Sequence, residues 1–184
     1  GVVQNLLVNL RNHVPKRSGD RETQIQNYRS AVMQTRQQVE VLSQRIQGEV
    51  PDDVQAIFTL YHHLLDANSL GREVEQKITL GWDAATSLKM VVENYITQFQ
   101  GMSDAYMRER AVDVEDLSNR ILANLLNLDT SRLTREELPD KCILVAEELT
   151  ATMLAEFPKG KLCGLISIRG SSNSHAAIMA RALG

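Results

Sequence analysis

The chain has 184 residues, 43% of them hydrophobic and 23% charged, and a net charge of −3. That size suits one soluble globular domain or two small ones, and 20 basic against 23 acidic residues leave no basic patch for nucleic acid. No apolar run reaches the length of a membrane span, and no charged segment followed by an apolar core opens the chain as a secretory signal would.

Aromatic residues make up only 4%, so the core has to be built from Leu, Ile, Val, Ala and Met. Cys142 and Cys163 both lie in short apolar runs and read as reduced core thiols. A cytoplasmic setting is expected from them. Residue 1 is a glycine, which reads as the start of a piece whose natural beginning lies upstream.

Residues 1–10, GVVQNLLVNL, fit either a helix face through Val3, Leu7 and Leu10 or a β-rich strand. Pro15 and Gly19 then mark a loop. Asp20 reads as a helix cap. Beyond it Ile25, Tyr28, Val32, Val39, Leu42 and Ile46 recur at three- and four-residue steps, provided Thr35 fills the gap. That spacing predicts one helix of about seven turns with a single apolar stripe. Gly48 ends it, and Pro51 opens a second helix carrying Val54, Ile57, Phe58, Tyr61, Leu64 and Leu65 on one side.

A break at DANS leads to a short third helix with Leu70, Val74 and Ile78. Asp83 caps a fourth helix marked by Leu88, Val91, Val92, Tyr95, Phe99 and Met102, with Trp82 before it as a packing residue and Gly101 at its break. Val114, Leu117, Ile121 and Leu125 continue the helical spacing, and Tyr106 reads as core. Residues 20–127 are therefore expected to form an antiparallel helical bundle, with residues 1–19 as a lead-in that could supply a strand elsewhere.

The pattern changes after DTSRLTREELPD. CILVA and KLCGLISI are short apolar runs that fit buried strands, and ELTATMLAEF and HAAIMARAL read as short helices, the first capped by Thr150. Strand, helix, strand, helix is the order of a parallel βαβ layer. Two strands and two helices cannot bury both faces of such a sheet, so residues 128–184 read as the front half of an α/β unit. The fold class expected is mostly α with a partial α/β part.

His175 stands where the loop GSSNS meets the last helix. Helix-start amides have no internal partners and favour an anion. Gly170 and its small neighbours Ser172, Asn173, Ser174, Ala176 and Ala177 would let one come close to the backbone. The imidazole could be a general base, a metal ligand or a nucleophile. No His-x₃-His or Cys-x₂-Cys spacing supports a metal site, and Ser174, adjacent in sequence, is poorly placed as a base's partner. A nucleophilic imidazole needs only a free nitrogen, the right tautomer and anion-binding groups, and fits best. The alternative is a structural histidine that holds its own loop.

GSSNSHAAIMARALG resembles the phosphohistidine signature of the phosphoenolpyruvate-utilising enzymes, G-G-x-T-S-H-x-A-I-x-A-R. Within them the chain is most similar to Enzyme I of the bacterial phosphotransferase system, its nitrogen-regulatory branch in particular, whose loop tolerates Asn before the Ser-His pair. AYMRERAVDVEDLSNRILANLL, CILVAEELTATMLAEF and AIFTLYHHLLDANSL extend the likeness over nearly the whole chain. Ser171 departs from the second glycine and Asn173 from the usual threonine. Tyr61 stands where the sugar-type enzyme has a histidine, and Ser69 where it has a glutamate.

The resemblance implies that His175 takes a phosphoryl group from phosphoenolpyruvate and passes it to a histidine of an HPr-type phosphocarrier, the nitrogen type being favoured. It implies that the helical part docks the carrier through Asp52, Asp53, Phe58, Tyr61, Leu64, Leu65 and Arg110. It also implies that phosphoenolpyruvate and Mg²⁺ bind a C-terminal barrel outside this chain, which by itself should not react with phosphoenolpyruvate. A monomeric piece of a dimeric enzyme is expected. The readings set against this are a non-catalytic helical interaction module with a structural His175, and a relative of pyruvate phosphate dikinase, against which the helical region argues.

Other residues carry bland readings. His62 and His63 diverge as neighbours on a helix, and His13 lies in a loop. Asp52 and Asp53 suit a helix start. Arg110 has Asp113 or Glu109 as a surface partner, Arg181 is a solvated arginine, and Thr150 or Thr152 could hold the second ring nitrogen of His175.

Overall fold

A computed structural model describes residues 9–128, 138–158, 160–170 and 174–184, with backbone only at 105 and 106. The expectations for residues 1–8 and for the Tyr106 side chain lie outside the described residues. The elements follow in order: a 3₁₀ turn at Leu10–Asn12, α1 (Arg21–Ile46), α2 (Asp52–Leu64), a π-type turn at Ala67–Gly71, α3 (Arg72–Thr79), α4 (Ala84–Gln100) and α5 (Ala105–Leu125). Then come β1 (Cys142–Glu148), α6 (Ala151–Glu156), β2 (Leu162–Arg169) and α7 (His175–Leu183). The chain is mostly helical with a small parallel sheet, as its sequence pattern predicts.

The contacts divide it into two compact units, Gly1–Gln37 with His62–Thr130, and Gln38–Tyr61 with Ser131–Gly184. The cut falls inside α1 and α2, so each of these helices contributes to both units.

In the first unit α4 packs along α5 and α3 against α4. Tyr28, Ala31 and Thr35 of α1 are buried, with Val74, Ile78, Leu88, Val91, Val92, Val114, Leu117 and Ile121. Ala31 occupies the stripe position expected of Val32, which is half-buried. The α4 stripe fades toward its end, where Tyr95 and Phe99 are half-buried and Met102 is exposed. Asp20 and Asp83 cap their helices as their positions predict: Asp20 Oδ1 accepts from the Thr23 amide at 3.1 Å, and Asp83 Oδ1 from the Thr86 amide at 2.7 Å.

The described part of the lead-in, residues 9–19, is a strap across α4 and α5; the strand reading falls mainly on residues 1–8, outside the described residues. The Leu10 amide donates to Asn119 Oδ1 and the Lys16 amide to Thr86 Oγ1, both at 2.8 Å. The Lys89 ammonium donates to the Arg11 and His13 carbonyls at 2.7 and 3.0 Å. Arg17 lies 3.7 Å over the Trp82 ring, a cation–π contact that gives this turn residue its packing partner. His13 Nε2, in a loop with no sequence signal, sits 3.2 Å from Thr86 Oγ1.

In the second unit Val39, Leu42 and Ile46 of α1 and Val54, Ile57, Phe58 and Tyr61 of α2 are buried. The Phe58 and Tyr61 rings meet edge to face at 5.7 Å. β1 and β2 pair in parallel, and α6 packs on α7. Ile143 stands opposite Gly164 and Val145 opposite Ile166, so these share one face of the sheet. On that face Ile143, Val145, Ile166 and Ile168 are all exposed. A parallel sheet is normally covered on both faces; here one is bare.

Candidate active site around His175

His175 is the first residue of α7, six residues beyond Arg169, the last residue of β2. Gly170 has φ +108°, a left-handed conformation that an L side chain would strain, so the chain can turn out of the strand there. Ser171, Ser172 and Asn173, the middle of the expected phosphate loop, lie outside the described residues. Ser174 is the helix cap: its Oγ accepts from the Ala177 amide at 3.3 Å, and its carbonyl from the Ile178 amide at 2.9 Å.

These bonds correct one expectation. The amides of Ala177 and Ile178 are engaged by Ser174, so an anion at this helix start would have to displace the cap to use them. Ala176 is buried and Ala177 half-buried. His175 itself is 5% exposed. Thr150, a candidate partner for the ring, caps α6 by accepting from the Met153 amide at 3.3 Å, and Thr152 is buried. Arg181 is exposed.

The second unit also holds a cleft of about 570 Å³. Arg45, Glu49, Leu154, Phe157, Cys163 and Arg181 are among the residues that line it, and His175 is not. Among the described residues no group of three or more His, Cys, Asp or Glu could hold a metal ion. Nor is any described helix long and apolar enough to cross a membrane.

The docking candidates separate by exposure. Asp52 and Asp53 are exposed in the first turn of α2. Phe58, Tyr61, Leu64 and Leu65 are buried, so none of the four can touch a partner while α2 keeps this packing. Their burial puts them in the core, while their helical spacing fits a core and a docking face alike. Arg110 is buried too, with its guanidinium 3.2 Å from Asp113 Oδ2. Asp113 is the partner expected, but the pair is internal and not at the surface. His62 is half-buried and His63 exposed.

Residues 2–110 match the model of the PEP-utilising enzyme, N-terminal family, and residues 138–184 match the PEP-utilising enzyme, mobile domain. The chain belongs to the PEP-utilising enzyme family. The mobile-domain match contains His175, and the N-terminal match contains every docking candidate.

Among its relatives, a protein of Escherichia coli (strain K12) named phosphoenolpyruvate-dependent phosphotransferase system is 42% identical over 142 residues, 77% of this chain and 19% of its own length. A phosphoenolpyruvate-protein phosphotransferase of Bacillus subtilis (strain 168) is 28% identical, covering 91% of this chain and 29% of that protein. The chain thus spans well under a third of the length of these curated relatives. Among solved structures, the N-terminal domain of Enzyme 1 - Nitrogen superposes with a TM-score of 0.70 at 33% identity, covering 100% of this chain and 73% of that one. The solution structure of an Enzyme I protein gives 0.75 at 28% identity, with 92% and 69% covered.

Proposed function

We propose that this chain is the carrier-docking and phosphohistidine-bearing part of a phosphoenolpyruvate-protein phosphotransferase. The observation that carries the reading is the position of His175. It opens a helix five residues after the left-handed Gly170 that ends a parallel strand, inside the segment that matches the family's mobile domain.

The chemistry asks little covalent help of the protein. A neutral imidazole nitrogen attacks phosphorus, the bond from phosphorus to the enol oxygen of phosphoenolpyruvate breaks, and pyruvate leaves. A histidine of the carrier then attacks the same phosphorus and frees His175. Each step needs one unprotonated ring nitrogen and groups that stabilise the phosphoryl oxygens. Only 5% exposed, His175 has to become more accessible in the transferring state. In this reading residues 20–127 dock the carrier and residues 128–184 carry the phosphate. Asp52 and Asp53 touch the carrier from the α2 start, while Phe58, Tyr61, Leu64 and Leu65 shape that surface from beneath.

A nitrogen-type HPr carrier is favoured by the 33% identical structural neighbour, whose title names the nitrogen enzyme. Tyr61 fits the same choice, since its ring packs against Phe58 and a smaller, polar histidine would leave that contact unfilled. Phosphoenolpyruvate and Mg²⁺ would be handled by another part of a full-length dimeric enzyme in the cytoplasm. The described residues of this chain offer no metal cluster, and no step here runs through one.

The test is incubation with phosphorylated carrier of each type, read by intact mass. A single phosphoryl gain, lost in mild acid, absent in His175→Ala and faster from the nitrogen-type carrier, is the expected result. No gain from either carrier, in this chain and in the full-length protein, overturns the reading in favour of a non-catalytic interaction module.

A further inference from the structure

Away from His175, the two thiols occupy related positions. Along the sheet each β1 residue pairs with the residue 21 places later: Ile143 with Gly164, Leu144 with Leu165, Val145 with Ile166 and Ala146 with Ser167. The same register would set Cys142 opposite Cys163. Instead a shift between Cys142 and Ile143 pairs Cys142 with Leu162 and leaves Cys163 as the extra residue of β2.

The bulge brings the two cysteines side by side across the strands: Leu162 is the direct partner of Cys142, and Cys163, the next residue, is the extra one that the shift inserts there. Adjacent strands run about 4.8 Å apart, inside the Cα separation of about 4.4–6.8 Å that a disulfide spans. The Cys142 thiol already reaches toward the start of β2, donating at 3.1 Å to the carbonyl of Lys161, the residue before that strand. Cys163 is exposed and lines the cleft, so a small oxidant can reach it; Cys142 is half-buried.

We propose that Cys142 and Cys163 are a peroxide-responsive thiol pair that closes to an intramolecular disulfide across the two strands. The Cys163 thiolate attacks a hydroperoxide. Its O–O bond breaks, a sulfenic acid forms on Cys163, and hydroxide (from hydrogen peroxide) leaves. The Cys142 thiolate then attacks that sulfur; the S–S bond forms, the S–O bond breaks, and the hydroxide released is protonated to water. Two thiols are oxidised and one peroxide is reduced. The pair lies at the start of the strands, whereas His175 follows the end of β2, so the inference stands apart from the phosphotransfer reading.

The test treats the full chain with hydrogen peroxide, then alkylates remaining thiols under denaturing conditions. The expected result is loss of both alkylatable thiols at all protein concentrations, a Cys142–Cys163 linked peptide, and recovery with dithiothreitol. Cys142→Ser should stop at a Cys163 sulfenic acid that dimedone captures. Two thiols still alkylated, a cross-link only between two chains, or Cys163 driven to sulfinic acid with Cys142 still alkylated would each overturn the proposal.

Discussion

Arg110 and Asp113 face each other three residues apart on α5, N to O 3.2 Å, with side chains only 9% and 7% exposed. Two charges have left water together. Removing the carboxylate alone would leave a guanidinium desolvated beside a vacated site. Asp113→Ala is expected to cost about 3 kcal/mol, the scale for breaking one side of a buried pair. Urea unfolding measures it. Glu147→Ala is the control: its partner Arg169 sits 2.9 Å away, but both side chains are more than half exposed. Water already screens that pair, and the loss should stay below about 1 kcal/mol. Equal costs for the two variants would contradict the burial of Arg110.

Tyr28 gives the first unit an alkaline limit. Burial, and secondarily the nearby Glu75 carboxylate, push its phenol well above the ordinary value of 10.0. The unfolded chain therefore releases this proton at lower pH than the folded one. Its contribution to stability is complete below pH 10 and is lost progressively as pH rises above it. Unfolding midpoints taken between pH 8 and pH 11.5 should fall with rising pH in the native chain, and the slope should flatten in Tyr28→Phe.

At the acid end the sign reverses at Asp20. Its carboxylate is held below the ordinary 3.8 by hydrogen bonds from Thr23, the side-chain bond first and the backbone amide second. The cap is fully effective above the unfolded value and fails as pH falls through the lower folded one. The stability gap between the native chain and Asp20→Ala should thus be constant near pH 6 and close on descending toward pH 3. A gap that persists at pH 2.5 would show that the cap acts without its charge.

Much of this architecture was legible in the sequence because the deciding interactions are local. Asp20, Asp83 and Thr150 cap helices through bonds to residues three places on, a relation that spacing alone displays. The stripes of α2 and α3 are buried residue for residue. Where distant chain meets distant chain, the residues gave no warning. The lead-in strap depends on Asn119 and Thr86, more than 60 positions away, and nothing in residues 9–18 names those partners. At the site, His175 was legible from its loop and helix. The burial of Phe58, Tyr61, Leu64 and Leu65 was legible too, but their apolar spacing admits a core and a docking face alike, and only packing decides.

Thr35 joins those two regimes. Its place in the α1 stripe is local, yet its hydroxyl serves a partner 89 residues away: Oγ1 donates to the Ala31 carbonyl at 2.8 Å and accepts from Asn124 Nδ2 at 2.8 Å. Both residues are buried, so a polar side chain on an apolar stripe is tolerated here because it is hydrogen-bonded. Thr35→Val keeps the shape and removes the acceptor, withdrawing one bond from a buried amide. The expected loss is about 1–3 kcal/mol. Thr35→Ser keeps the hydroxyl and forfeits one methyl group, about 0.8 kcal/mol by transfer. Thr35→Val should therefore be the less stable of the two in urea titrations. In a double-mutant cycle with Asn124→Leu, the two costs should fall short of additive, because the second change removes the amide that the first left short of a partner. A valine variant as stable as the native chain, or strict additivity in the cycle, would mean that Asn124 does not depend on Thr35.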